Sequence, residues 1–370
     1  MAERQGAFLA GNTKIYYWAS KSGYNTPYMH ILDSVSLANH STMRLGGKAA
    51  HLAEVTSREQ VAKAVDWANE RQLPIIMIGQ GSNIVWSDKG WPGLVLVNKI
   101  ELFEVAEKNG MALVKIGGGE QWDQIVGQTV ERGLHGIEAL SLIPGTAGAT
   151  PVQNVGAYGQ EIADTLVDVE AYDSRTKSFV TIPKKDCQFA YRMSRFKTSD
   201  RGRFFITSLT LKLTHDNPKP PFYPSVQTYF DEHGIKSFTP QVLRDAVTAI
   251  RRAKLPDPAN NPTNGSFFTN PIVSGSVYGK LKAKYPDIAS WETKDGKFKL
   301  SAAWLIEAAG FKDVHDAETG MATWPRQALV LVNEHAKHTS DLLKFKQKIV
   351  DAVKDKFGVT LEQEPELIGE

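Results

Sequence analysis

The sequence predicts an α+β protein of several domains, and three observations carry that expectation. At 370 residues the chain exceeds what one hydrophobic core normally organises. Between Thr56 and Asn98 a helical apolar period alternates with short apolar runs that end in glycine-rich turns. From Leu166 to Leu213 the pattern becomes almost wholly strand-like, with Leu166 to Tyr172, Phe179 to Ile182 and Phe204 to Leu213 alternating or apolar.

The elements follow in order. The opening stretch, with Tyr16-Tyr17-Trp18, shows no clean period and reads as an extension packed on or near the body. Thr56-Ser-Arg-Glu59 has capping-box spacing, and Val61, Ala64, Val65 and Ala68 share one helical face before Pro74 closes the helix. Ile75 to Ile78 is a buried strand ending in Gly79-Gln-Gly-Ser-Asn83, and Leu94 to Val97 and Ala112 to Ile116 are further strands. Gly117-Gly-Gly119 leads into a helix with Trp122, Ile125, Val126 and Val130 on one side. After the β-rich segment, the proline-rich run Asn217 to Pro224 marks the expected domain boundary. Pro240 then starts a helix with Val242, Leu243, Ala246, Val247 and Ile250 inward, stopped by Leu255-Pro-Asp-Pro258. Helices are expected near Ser301 to Ala309 and Ser340 to Phe357, each ended by a glycine, with strands at Ala328 to Val332 and Thr360 to Ile368.

Bulk properties exclude several classes. A formal charge of +2 from 43 basic and 41 acidic residues, mixed along the chain, argues against a dedicated nucleic-acid or membrane-surface binder. The single cysteine, Cys187, rules out an internal disulfide and a cysteine-based zinc site, which suits a reducing compartment. No apolar run reaches membrane-span length, and Met1 to His30 has no secretory apolar region, so a cytoplasmic protein without membrane insertion is expected. No metal is expected.

The segment Ile143 to Glu161 is the most telling. It holds four glycines and two prolines, and no charge falls between Ala139 and Gln160. Glycine lets backbone approach a ligand closely, so serial N–H groups there are expected to face a pyrophosphate without help from lysine. Neither a dinucleotide fingerprint at a strand-to-helix turn nor a Walker lysine is present. Two separated glycine-rich loops, Gly79 to Asn83 and Gly145 to Gly159, are suited to the two ends of a dinucleotide.

Five motifs, taken together, are similar to those of the UDP-N-acetylenolpyruvoylglucosamine reductase family. They are Ile78-Gly-Gln-Gly-Ser-Asn83, Leu142 to Gly159, Phe189-Ala-Tyr-Arg192, Lys254-Leu-Pro-Asp-Pro258 and Gly265-Ser-Phe-Phe-Thr-Asn-Pro271, in the family's order. The resemblance covers roughly Asn39 to Gly369, in the longer, tyrosine-loop type. It implies a two-subdomain FAD-binding fold of the vanillyl-alcohol-oxidase type plus a C-terminal α/β substrate domain. The corresponding division is an extension at 1–33, FAD subdomains at 34–100 and 101–216, a UDP-sugar domain at 217–358 and a C-terminal strand at 359–370.

It also implies an activity: NADPH reduces non-covalent FAD, and hydride passes from flavin N5 to C3 of UDP-N-acetylglucosamine enolpyruvate, a step of peptidoglycan precursor synthesis by a monomeric enzyme. Family positions make Ser266 the proton donor to C2 and Arg192 and Glu364 the groups near the substrate carboxylate. A serine can serve so only in a dry site that stabilises the developing enolate. The FAD contacts carried over are Gly79, Gly81, Ser82, Asn83, Pro144, Gly145, Gly148, Ala149, Thr150, Asn154, Gly156, Ala157, Tyr158 and Gly159. Gly145 to Thr150 fall nearer the pyrophosphate, and Asn154 to Gly159 nearer the flavin. Tyr223, Arg251, Lys254, Asn270 and Gln327 are the substrate contacts, Arg251 and Lys254 lying three apart on one helix face.

Two choices stay open at this level. Glu362 and Glu364 face the same side by strand alternation, and Tyr229 competes with Tyr223 for the loop position. A related flavin oxidase and a non-catalytic flavin sensor are the alternatives. Many such oxidases attach flavin through His or Cys, and neither glycine-rich loop holds either residue.

Overall fold

In the computed structural model the described residues are 5–10, 13–18 and 29–370. The chain divides into two compact units, Met1–Val35 with Ala49–Gln80 and Pro92–Ala253, and Ser36–Lys48 with Gly81–Trp91 and Lys254–Glu370.

Among its described residues the first unit contains two large sheets, besides the two-stranded pair Gly156–Ala157 and Gln160–Glu161. One has the strand order Gln5–Ala10, Thr13–Trp18, Ile31–Ser36, Lys48–Val55, Trp91–Asn98, Ile75–Ile78, the last pair parallel with Ile75 opposite Leu94. The opening stretch supplies an antiparallel strand pair that joins the sheet through Tyr16 opposite Ile31, an extension packed on the body as expected. The helix Arg58–Glu70 packs Val61, Ala64, Val65, Trp67 and Ala68 on this sheet. Its N-cap is Ser57, whose Oγ accepts from Gln60 N at 3.3 Å while Gln60 Oε1 accepts from Thr56 N. The N-cap therefore sits one residue later than Thr56-to-Glu59 spacing suggests, and the returning side chain, Gln60, reaches the N–H of the residue before the cap.

The second sheet is antiparallel, ordered Ser178–Pro183, Leu166–Asp173, Phe204–Thr214, Met111–Gly117, Phe103–Lys108. Val114, Ile116, Leu209 and Leu211 pack with Trp122, Ile125 and Val126 of the helix Trp122–Glu131. At its margin Arg203 forks onto Asp173, Nη2 to Oδ2 at 2.7 Å and Nε to Oδ1 at 3.0 Å. These bonds pull the Asp173 carboxyl down to about 2. A depressed carboxyl stabilises the fold above its unfolded value near 3.8 and loses that contribution as pH falls through 2. Asp173→Asn should therefore be less stable than the parent at pH 6 and approach it near pH 2, read as melting temperature against pH. Parallel curves would contradict the pairing.

The expected boundary at 217 lies inside the first unit. Phe222, Val226, Phe230, Phe238, Leu243 and Val247 form a common core with Ala139 and Tyr158, so the helices Pro224–Glu232 and Pro240–Lys254 build on the glycine-rich segment. The change of unit comes at Lys254, where the second of these helices ends.

The second unit has a four-stranded sheet ordered Thr263–Ser266, Gln327–Asn333, Met321–Trp324, His315–Asp316. The helices Ala302–Ala308 and Thr339–Phe357 cover it through Leu305, Ile306, Phe345 and Ile349, against Phe267, Leu329 and Leu331. Gly358 ends the long helix in the left-handed conformation, φ 66°. The strand expected over Thr360 to Ile368 shortens to Glu366–Ile368, which pairs in parallel with Ile84–Trp86. Pro365 has no N–H to extend a ladder, and Gln363 forms only an isolated bridge with Phe268. Among the described residues no helix is long and apolar enough to cross a membrane.

Candidate active site

In the first unit the uncharged segment is bound tightly to the protein itself. Trp122 Nε1 donates to Leu140 O at 3.1 Å and Asp123 Oδ1 accepts from Leu142 N at 2.7 Å, so the first turn of the helix Trp122–Glu131 anchors the loop's entry. Beyond it, Ala147 N donates to Glu120 O, Gly148 N to Gly118 O, Ala149 N to Thr146 O and Thr150 N to Ala147 O. These amides are engaged internally, so they do not form the expected series of N–H groups aimed at a ligand. What the loop offers instead is a surface of small residues, with Pro144 and Ala149 exposed and Gly145 half-buried.

The reason for glycine here is close packing. A Cβ on Gly148 would stand 2.9 Å from Gly118 Cα and O, and one on Gly79 would collide with Thr146 Oγ1. Gln80 joins the two loops, accepting from Gly145 N at 2.8 Å through Oε1 and bonding Gln121 Oε1 through Nε2. Gln80 thus clasps the two glycine turns together, beside a stretch free of charge from Ala139 to Gln160.

Asn154 is a strut. It is buried, φ 46°, with Nδ2 donating to Glu161 Oε2 (2.7 Å) and Ala190 O (3.2 Å) and Oδ1 accepting from Ala163 N (3.2 Å). Arg192 occupies a tight turn in which Ala190 and Met193 exchange backbone bonds, with φ 56°. Such a conformation costs a non-glycine residue roughly 1–3 kcal/mol and persists where surroundings enforce it. Its Nη2 donates to Gly156 O at 2.8 Å, and a Cβ on Gly156 would lie 3.3 Å from Nη1. Arg192 is thus brought onto the Asn154 to Gly159 half of the loop.

Tyr158, φ 48°, meets Tyr223 edge-on with centroids 5.5 Å apart. Tyr229 instead stacks on His233 at 4.0 Å, so Tyr223 is the tyrosine that joins the loop. Burial raises the Tyr158 hydroxyl, and burial lowers the Arg251 guanidinium while Tyr158 and Asp123 oppose that shift. Arg251 Nη2 donates to Leu142 O at 3.3 Å, and its Nε is buried with no hydrogen-bond partner in the structure. One turn pair earlier on the same helix, Arg244 forks onto Asp123 at 2.7 and 3.1 Å and reaches Ser141 Oγ at 2.8 Å. Burial pushes the Asp123 carboxyl up, but Arg244 and Leu142 N–H outweigh it and hold it below the ordinary value.

Arg244→Ala should therefore cost about 1–3 kcal/mol by leaving a half-buried carboxylate without its cation. A thermal melt reads this, and Arg244→Lys should recover part of the loss. An unchanged melting temperature in the alanine variant would contradict the role.

In the second unit Ser266 ends the strand Thr263–Ser266 opposite Val330, and the register slips between Thr263 and Ser266. Two steps on the partner, Val332 to Val330, face three here, so an extra residue bulges out at Asn264-Gly265, with Gly265 at φ 73°. The C-terminal segment lies alongside: Glu364 N donates to Phe267 O and Thr269 N to Glu362 O, each at 2.9 Å. Glu364, half-buried, is the carboxylate nearer Ser266 along this pairing, while Glu362 is exposed. Asn270 Oδ1 accepts from Ala302 N at 2.9 Å, capping a helix, and Gln327 opens the central strand. Lys254 is exposed, and its carbonyl accepts from Trp324 Nε1 at 3.1 Å.

The remaining loop residues also belong to this unit. Gly81 O accepts from Thr42 N at 3.2 Å, and a Cβ on Gly81 would collide with His40 O. Asn83 O accepts from Glu366 N at 3.1 Å. Ser82 and Asn83 are half-buried.

Residues 49–180 match a family model described as an FAD binding domain, and residues 257–368 match the C-terminal domain of UDP-N-acetylenolpyruvoylglucosamine reductase. A UDP-N-acetylenolpyruvoylglucosamine reductase of Ralstonia nicotianae is 39% identical over 345 residues, covering 92% of this chain and all of the relative. The chain belongs to the UDP-N-acetylenolpyruvoylglucosamine reductase family. A relative from Burkholderia multivorans is 40% identical over 343 residues, 91% of this chain and 97% of that one. The crystal structure of the Thermus caldophilus enzyme shares the fold, with a TM-score of 0.64 over 92% of this chain and 99% of that chain at 22% identity.

Several residues that build the site escape sequence reasoning. Gln80 lies inside Gly79-x-Gly81 as a possible spacer, and only the structure shows its amide clasping the second loop. Asp123 and Arg244 are 121 positions apart, so no local pattern links them. A usable signal existed in Arg244 and Arg251, which stand seven apart and so share a helix face.

Proposed function

We propose that this chain is an FAD-dependent, NADPH-consuming reductase that converts UDP-N-acetylglucosamine enolpyruvate to UDP-N-acetylmuramate. The observation that supports the reading is the backbone pairing of Glu364 with Phe267, the residue after Ser266, in a chain related over 92% of its length to a named reductase. Bound FAD supplies the hydride relay between the two substrates, and every other requirement falls to side chains.

Ser266 Oγ is proposed to deliver the proton to C2, its position set by the Asn264-Gly265 bulge. Proton transfer from a positioned group of this kind is worth about 10²–10⁴ in rate. Arg192, fixed on Gly156 O, is proposed to supply positive charge to the substrate carboxylate, and Glu364 to polarise that group. For the UDP moiety the proposed contacts are Tyr223, Arg251, Lys254, Asn270 and Gln327. A diphosphate needs such partners because an unpaired buried anion is very costly. Gly79 to Asn83 and Pro144 to Gly159 hold FAD without a covalent link. The setting is a monomer in the cytoplasm, in peptidoglycan precursor synthesis that supports cell shape and division.

The test is direct. Purified protein should be yellow, and NADPH absorbance should fall beyond the one equivalent that reduces bound FAD only when the enolpyruvyl UDP-sugar is added. Colourless protein that takes up no FAD would sink the proposal.

A further inference from the structure

We propose that Asn264 is a positioning residue that couples the cofactor loop to the proton-donor turn, an inference that rests on the reading of Ser82 and Ser266 just given. Asn264 is 6% exposed. Its Nδ2 donates to Ser82 O and Ile84 O, both at 3.1 Å, and approaches Thr42 Oγ1 at 3.3 Å. Thr42 N in turn holds Gly81 O, so the segment Gly81 to Ile84 is gripped on both sides.

The backbone of the same residue forms the bulge that aims Ser266. Thr263 before it is locked into the sheet by Oγ1 donating to Leu331 O at 2.7 Å. Gly265 after it takes φ 73°, its N–H returning to Thr263 Oγ1 at 3.1 Å. Any shift of Ser82 that drags the Asn264 amide must therefore move the bulge, and Ser266 is the next residue but one.

The chemistry demands this side chain. Two carbonyls about 3.1 Å from one nitrogen require two protons on a short stem, which asparagine supplies. Aspartate has the same shape but would set charge against both carbonyls, and leucine has the volume without a donor. Asn264 Oδ1 is buried with no hydrogen-bond partner, so the amide is held through its donor side alone. Because coupling is reciprocal, loading the cofactor loop steadies Ser266, and loosening the bulge weakens cofactor retention.

The experiment uses FAD-loaded enzyme carrying Asn264→Leu, with Asn264→Ser as a milder variant that keeps one donor, beside Ser266→Ala. FAD release is followed by flavin fluorescence; reduction by NADPH and reoxidation by the enolpyruvyl substrate are followed by stopped flow in H₂O and D₂O. Expected for Asn264→Leu are FAD release and reoxidation each altered by about tenfold or more, the loss of one to two buried hydrogen bonds. Asn264→Ser should lie between it and the parent. The solvent isotope effect on reoxidation should rise as proton delivery becomes limiting, while reduction by NADPH stays near the parent rate. If Ser266→Ala is slow but either Asn264 variant leaves FAD release or reoxidation at the parent value, the coupling is overturned. If Ser266→Ala reoxidises at the parent rate, the proton-donor reading on which the coupling rests has failed.

Discussion

Ser266→Ala is expected to slow reoxidation of the enzyme by its enolpyruvyl substrate by about 10²–10⁴-fold, the usual worth of a positioned general acid. Reduction by NADPH should stay within about threefold of the parent, because that half-reaction needs no proton at C2. The structural basis is specific. Ser266 follows a left-handed glycine at a bulge, its strand is held by Val330, and the next residue, Phe267, takes the Glu364 amide. The other side-chain donors of that turn, Thr263 Oγ1 and Asn264 Nδ2, are already engaged with Leu331 O and with Ser82 O and Ile84 O. Ser266→Cys, which keeps an ionisable proton at the same stem length, should restore part of the rate. Equal half-reaction rates in the parent and alanine enzymes would remove Ser266 from the chemistry.

Gly79→Ala is expected to have the second large effect, on FAD retention rather than on chemistry. The added methyl would collide with Thr146 Oγ1, and Thr146 is only 3% exposed, so it has little room to turn away. Overpacking of this sort costs about 1–3 kcal/mol, which corresponds to a loss of roughly tenfold or more in affinity if it falls on the bound state. The double variant Gly79→Ala with Thr146→Ala removes the colliding hydroxyl and should regain much of the flavin. Gly148→Ala offers no such rescue, since its neighbours are the backbone atoms of Gly118. Flavin content after gel filtration distinguishes these cases. Full retention in the Gly79→Ala protein would show that the two loops are not packed as the structure has them.

Regular elements were largely legible because their signals are local. The helix carrying Trp122, Ile125, Val126 and Val130 and the strands around Leu94 and Leu209 obey simple periods, and the structure places them within three residues of the expected bounds. What failed depended on distant packing. The aromatic cluster of Phe222, Phe230 and Phe238 ties 217–253 to Ala139, so a proline-rich run that resembles a linker lies inside a unit. Pro365 and the isolated Gln363 bridge cut short the strand expected over Thr360 to Ile368.

The glycine-rich segment shows the same division. Its lack of charge correctly marked a place of close approach, yet several of its amides bond to Gly118, Glu120 and the loop itself. Glycine counts cannot tell backbone packed on backbone from backbone offered to a ligand. Glu362 and Glu364 were indistinguishable by alternation, whereas pairing with Thr269 and Phe267 separates them by position and exposure. Asn264 carried no sequence signal at all, because its partners Ser82 and Ile84 are 182 and 180 positions away.

The most direct test of the proposed reaction is a single turnover in D₂O, with FAD-loaded protein, NADPH and UDP-N-acetylglucosamine enolpyruvate, analysed by mass and proton resonance. The expected product is UDP-N-acetylmuramate carrying a solvent-derived deuterium at C2; the hydrogen at C3 passes through flavin N5, an N–H that exchanges with solvent, so the C2 position decides. Absence of that product, or NADPH consumption that proceeds equally without the enolpyruvyl sugar, would contradict it.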